Sequence, residues 1–257
     1  PNLMKLFTSY RDLGAFGDME RMYENTTNDK FKNAPLVKEF LAVAHNKNGQ
    51  AAKTLQVVES IRADASNPTL PRPDLMNGEV YGAMAKAYVV QQGAAEALTQ
   101  AIENGDTTNI EKNRAVYTKA FGLSEKSPLP SVEHLKKQAN DLALAVRDTY
   151  AEGFNVNFEY YPGINAVYGD LTLGNFEQAQ KTAELVQLAA IRDGGFDRNN
   201  YWTSMTMLES SLIKGTNHEY IESTLNKIIG GNDIPAWNLE STVGAWNSRV
   251  YPALEKL

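Results

Sequence analysis

Three histidines, His45, His134 and His218, stand far apart in the chain, and none has a second histidine within four residues. A zinc-protease helix needs two histidines four residues apart, with a glutamate after the first. His218-Glu219 begins that pattern, but position 222 holds Glu222. No phosphate loop, no Gly-x-Gly-x-x-Gly after a strand and no Gly-x-Ser-x-Gly elbow is present. Asp193-Gly194-Gly195-Phe196-Asp197-Arg198-Asn199-Asn200 offers oxygen ligands and glycines. It lacks the alternating ligands and closing glutamate of a calcium loop. A glycine C-cap followed by an asparagine N-cap, between two helices, explains it more simply. With no cysteine there is no disulfide, thiolate metal site or cysteine nucleophile. The expectation is a protein that is not an enzyme, with no cofactor and no metal site.

The residues that suit binding cluster differently. Phe158 to Tyr168 read FEYYPGINAVY. Pro162 suits the first turn of a helix, where its missing N–H leaves nothing unsatisfied. The spacing predicts an extended Tyr161 before it, and a Gly163 that lets a helix or ring approach closely. Tyr161, Asn165 and Tyr168 then share the inner helix of a hairpin. The Asn165 amide can clamp a peptide backbone or a terminal carboxylate; the reading favoured here is that it ties down a neighbouring helix end. Trp202, Trp237 and Trp246 fall in the last quarter of the chain. Tryptophan anchors binding hot spots, but also fills cores. The candidate binding residues are Tyr161, Asn165, Tyr168, Trp202 and Trp237. Glu20, Glu24, Glu103 and Glu133 read as solvated helix faces.

Helical periodicity positions these residues. Leu3, Leu6, Phe7 and Tyr10 recur at three- and four-residue steps, as do Leu36, Val37, Phe40, Leu41 and Ala44. Two-residue alternation is nearly absent. The pattern predicts an all-α chain of about 12–13 helices. They cover 2–13, 17–26, 34–46, 50–65, 75–92, 94–103, 108–122, 131–152, 162–173, 175–192, 200–214, 217–229 and 236–256. Gly153 sits where a C-cap glycine would end the helix at 131–152. The segment 66–73, with Pro68, Pro71 and Pro73, must be extended and is a possible sub-boundary within one domain, 1–257. Ser127–Ser131 is a second break, and Ser131 can cap the next helix.

Charge excludes some partners. With 25 basic and 31 acidic residues the net charge is −6. That argues against nucleic acid and anionic membranes, which demand a basic face. No apolar run is long enough to span a bilayer, and no leader pattern opens the chain. The expectation is a cytoplasmic protein. Pro1 fits an N-terminus left after removal of an initiator methionine, and fits a trimmed fragment equally.

Two stretches repeat. Gly14-Ala15-Phe16-Gly17-Asp18-Met19 continues to Tyr23, and Gly174-Asn175-Phe176-Glu177-Gln178-Ala179 to Ala183. Glycine takes the tight turn, the aromatic fills the gap between helices, and a small or flexible residue permits close approach. This is the logic of a tetratricopeptide hairpin. A weaker copy turns at Gly215, followed by Tyr220 and Thr224. Asp170 is a misfit, because it falls where the repeat wants a large apolar residue. Gly105 reads as a surface-loop glycine.

Five phrases, in order, carry a resemblance. They are Gly82-Ala83-Met84-Ala85-Lys86-Ala87-Tyr88; Tyr150-Ala151-Glu152-Gly153-Phe154; Tyr161-Pro162-Gly163-Ile164-Asn165-Ala166; Tyr201-Trp202; and Trp237-Asn238-Leu239-Glu240-Ser241-Thr242. Together they resemble the TRAFs-binding domain of the apoptosis signal-regulating kinases, which are MAP kinase kinase kinases, and its bacterial relatives. Lys86 stands where that family has arginine, and the stretch 104–131 departs from it. The resemblance covers about 78–257. It implies a tetratricopeptide-like superhelix of antiparallel helix pairs: a non-enzymatic scaffold that binds a protein or peptide partner in signalling or regulatory assemblies. The alternatives are a regulatory sensor with a small ligand in its helical groove, or an enzyme of a helical class without a readable motif.

Overall fold

The computed structural model describes residues 2–195, 200–215, 218–230 and 236–254, and within them all side chains but those at 218, 227, 229, 236–238, 241, 248, 249, 253 and 254. Among these residues the chain is all-helical, with no strand. It divides into two compact units, Pro1–Val146 and Arg147–Leu257. The first holds α1 (Leu3–Asp12), α2 (Phe16–Asn25), α3 (Asp29–Lys32), α4 (Pro35–Lys47), α5 (Ala51–Ala65), a 3₁₀ turn (Pro73–Leu75), α6 (Gly78–Glu103), α7 (Thr107–Phe121) and the start of α8 (Val132–Asn157). The second holds the rest of α8, then α9 (Tyr160–Thr172), α10 (Phe176–Arg192), α11 (Tyr201–Ile213) and α12 (His218–Ile229). It ends with α13 (Ala236–Ala245), a π-helical turn (Trp246–Val250) and α14 (Tyr251–Leu254). The proline-rich segment 66–73 lies inside the first unit.

Among the described residues one connection recurs four times. Leu13-Gly14-Ala15, Asn48-Gly49-Gln50, Asn104-Gly105-Asp106 and Leu173-Gly174-Asn175 join α1 to α2, α4 to α5, α6 to α7 and α9 to α10. In each the first residue stays near right-handed helical geometry, with ψ of −4°, 5°, −8° and −3°. The glycine follows at φ of 68°, 70°, 65° and 77°. Each glycine N–H donates three residues back, and the next N–H donates five back: Ala15 to Tyr10 and Gln50 to His45, then Asp106 to Ala101 and Asn175 to Asp170, at 2.8–3.2 Å. This double closure satisfies carbonyls that the helix end would otherwise leave bare. It also turns the chain back, so each pair packs as a hairpin. Phe16 and Phe176 open the second helix of their hairpins and lie against the core, while Met19 and Ala179 are fully buried. Gly215 also has positive φ, 74°.

Several expectations are corrected. α6 runs unbroken through Gly93, where a boundary was expected. Buried Gln91, Ala94, Ala95 and Leu98 keep one face in phase across it. Gly153 lies inside α8 and caps nothing. Phe158 ends that helix instead, at φ 53°, with its N–H on the Phe154 carbonyl at 2.7 Å. A left-handed phenylalanine costs about 1–2 kcal/mol. It persists here because its ring stacks on Phe154, with centroids 5.2 Å apart. Tyr161 is helical, since α9 begins one residue earlier, at Tyr160. Pro162 still falls among the first N–H groups, which have no partner within the helix. Leu6 and Leu36 are exposed, not packed. Glu20 is not a solvated face: its Oε1 accepts from Nδ1 of buried His45 at 2.8 Å, and Gln50 Oε1 shares that donor at 3.1 Å. Ser131 caps α8 as expected, accepting from the His134 N–H at 3.2 Å.

The turn geometry sets an outcome. A Cβ at Gly174 or Gly105 meets nothing within 4 Å, yet both glycines have positive φ. Gly105→Ala and Gly174→Ala should therefore each lower stability by about 1 kcal/mol. Urea melts check this. A Gly105 variant as stable as wild type, beside a weakened Gly174 variant, would contradict the equivalence of the two turns.

Candidate functional site

The stretch FEYYPGINAVY becomes the last turn after α8 and most of α9. α9 lies unusually close to its neighbours. A Cβ at Gly163 would stand 2.6 Å from Val186 Cγ2 and 2.8 Å from the Phe154 ring. One at Gly169 would stand 2.8 Å from Arg147 Cβ and 3.1 Å from Arg147 Cα. Gly163 thus performs the close approach its sequence position suggested. Gly169 does the same against the α8 backbone, a role no local motif announces. The misfit at Asp170 has a cause: its buried carboxylate pairs with Arg147 Nη1 at 2.8 Å and accepts from Asn175 Nδ2 at 3.3 Å.

Two residues before Asp170, Tyr168 faces a second buried acid. Glu209 on α11 is 6% exposed. Trp246 Nε1 donates to its Oε1 at 2.8 Å, and the Tyr168 phenol lies beside the same side chain. Trp246 is the first residue of the π-helical turn. Such a turn adds a residue to the helical repeat and re-aims side chains, and it is frequent at functional positions. α11 itself is buried on nearly every face, with Thr203, Ser204, Thr206, Glu209, Ser210 and Ser211 all inside. Thr203 Oγ1 donates to Asn200 O at 3.1 Å, and Ser211 accepts from Gln187 Nε2 at 3.0 Å. Ser210 Oγ is buried without a hydrogen-bond partner among the described residues. Tyr201, at the start of α11, shares a 2.8 Å hydrogen bond with Thr242.

Burial of Glu209 pushes its carboxyl up from an ordinary 4.5 to about 7, against the pull of Tyr168 and Trp246. Neutral donors cannot offset the lost hydration of a carboxylate. Burial likewise raises the Tyr201 phenol; Thr242 opposes it and Glu209 adds to it. What the arrangement can do chemically is hold a proton near neutral pH inside the unit. Among the described residues no group of three or more acidic or histidine side chains could hold a metal ion.

The five candidate residues are placed as follows. Tyr161 is half-buried, its ring edge-on to Tyr150 with centroids 6.2 Å apart. Asn165 is half-buried, and its Nδ2 donates to Tyr161 O at 2.9 Å, within its own helix. Among the described residues it ties no neighbouring helix end. Tyr168 is 4% exposed and belongs to the core. Trp202 is half-buried and edge-on to Tyr201. The Trp237 side chain lies outside the described residues. α9 therefore brings Tyr161, Asn165 and Tyr168 onto one helix. Glu209 was missed. Its only sequence signal is an acid in an otherwise uncharged stretch, Tyr201 to Ile213. The loop Asp193–Asn200 ends as its caps suggested: Gly194 and Gly195 have positive φ, and Asn200 accepts from the Thr203 N–H at 3.3 Å. Phe196, Asp197, Arg198 and Asn199 lie outside the described residues.

Comparison with protein-family models, with curated proteins and with solved structures finds no match in any of the three.

Two outcomes follow. A group whose folded pKa is raised stabilises fully below its unfolded value, and that stability is lost as pH rises through the folded value. Between about pH 5 and pH 8, wild type should lose about 2.5 kcal/mol relative to Glu209→Gln. Urea melts of both proteins across that range measure it, and parallel curves would contradict it. Asn165→Ala removes only an intrahelical bond, so its melting should stay within about 0.5 kcal/mol of wild type. A loss of 2 kcal/mol or more, at the scale of a stranded buried group, would refute that reading of the amide.

Proposed function

We propose that the chain is a tetratricopeptide-like scaffold that binds a protein or peptide partner in a signalling or regulatory assembly. The observation that carries this is the four-fold recurrence of one glycine turn between packed helices. Stacked helical pairs of this kind build extended binding surfaces, each pair covering its neighbour's core face. The five phrases that resemble the TRAFs-binding domain point the same way, and three of them fall on α8, α9 and α11. Tyr161 and Trp202 are the half-buried aromatics that suit partner contact. The reading as a small-ligand sensor has less support. Ligand pockets are concave and enclose most of the ligand, whereas the depression of about 530 Å³ on α12, lined by Glu219, Glu222, Ser223 and Asn226, is open to solvent.

The test uses the intact chain as bait in a lysate of its source cells, followed by binding measurements with the purified partner. Tyr161→Ala or Trp202→Ala should weaken that binding at least about ten-fold, as for hot-spot aromatics, at unchanged helicity. Equal affinity of both variants and wild type would move the contact away from these residues. Failure to retain any partner would count against the scaffold reading itself.

A further inference from the structure

α10 has two apolar faces, and its own unit uses one. Ala179, Ala183, Val186, Ala189 and Ala190 are buried. On the other side Leu185, Leu188 and Ile191 are 48%, 55% and 54% exposed. At 3.6 residues per turn, Leu185 and Ile191 lie about 60° to either side of Leu188, and Glu184 and Arg192 about 40°. The stripe therefore centres on Leu188. Three large aliphatic side chains are thus half bare and contiguous on one helix face, not scattered singly.

The charges identify what covers it. Read in either direction from Leu188, the stripe meets an aliphatic residue at three and a charge at four, and the two charges are opposite. Glu184 makes no ion pair among the described residues, and Arg192 binds Asp193 through Nε and Nη2, with Glu159 also near enough to act on its charge. Arg192 also lies over the Phe158 ring at 5.8 Å, which extends the apolar edge of the stripe. Such a sequence is its own complement under a two-fold axis. We propose that α10 is a self-association face, on which a second copy of this chain packs antiparallel, with Leu188 on the two-fold axis. Leu185 then meets the partner copy's Ile191, and Glu184 meets its Arg192. An isologous contact has this property, with each residue pair occurring twice. A parallel pairing would set Glu184 against Glu184 and Arg192 against Arg192. One helix face per copy lies at the low end of specific interfaces, so the dimer is concentration-dependent. It is separate from the partner contact proposed above and does not rest on it.

The chain has no cysteine, which makes the test direct. Leu188→Cys places one thiol on the axis, within reach of its own copy. Mild oxidation should link it into dimers at least about ten-fold faster than Val116→Cys, a site 48% exposed in the other unit. Equal rates would overturn the proposal. Sedimentation equilibrium of the cysteine-free chain is the second readout. Glu184→Arg and Arg192→Glu should each weaken the dimer, and the double reversal should restore it. A wild type that stays monomeric overturns the self-association. Single reversals that the double variant fails to rescue overturn the antiparallel register.

Discussion

The fold depends on how a helix ends. Each α-helix leaves its last carbonyls bare, and a buried bare carbonyl is costly. The Leu13-Gly14-Ala15 type of connection satisfies them within three residues, through N–H groups supplied by the turn itself. The geometry admits glycine readily at its middle position and little else. Where the next helix starts directly after it, as in these four connections, the chain turns back alongside the helix it has just left. α1 with α2, α4 with α5, α6 with α7 and α9 with α10 are thus neighbours in sequence that also pack on one another. The cores then follow: Phe7, Met19 and Val37 gather in one unit, and Phe154, Val167 and Val186 in the other.

How closely paired helices pack is a second, separate choice. At α9 glycine serves approach and not turning. Gly163 and Gly169 remove the atoms that would hold α9 off Phe154, Val186 and Arg147. The same nearness puts Arg147 beside Asp170 and lets a charged residue replace the apolar one expected there.

Much of this was legible in the chain. The glycine turns at 14 and 174 could be read because an aromatic and a small or flexible residue follow each at fixed distance. The turns at 49 and 105 use the same backbone, but Ala51 and Thr107 follow where Phe16 and Phe176 stand, so no side-chain pattern marks them. The end of α8 was misplaced because glycine is the usual left-handed residue. Here Phe158 takes that conformation, held by a ring stack that only tertiary structure supplies. Gly93 misled in the opposite sense, since a glycine in a helix whose buried face stays in phase interrupts nothing. Among the candidate binding residues, the sequence placed Tyr161, Asn165 and Tyr168 on one helix. It could not say which of them faces inward, because that depends on where α11 lies. Glu209 was illegible for the same reason: its burial is a property of α9, α10 and α12 packing around α11.

Among its described residues the second unit holds two buried carboxyl groups, and their difference lies in their partners. Asp170 faces a guanidinium, so its charge is met by an opposite charge on the adjoining helix. Glu209 faces an indole N–H and a phenol, which are dipoles. Dipoles orient a carboxyl but do not cancel its charge. A carboxylate there therefore carries most of its desolvation penalty, and the proton stays on to about neutral pH. The indole reaches Glu209 from the first residue of a π-helical turn, a backbone form that seldom persists without tertiary support. Protonation of one acid and the seating of the C-terminal helical segment on α11 are thus parts of a single interaction. When the carboxyl ionises, its field acts on the Trp246 bond and on the neighbouring Tyr201–Thr242 pair. The polar interior of α11 ties local charge to the packing of the segment that follows it.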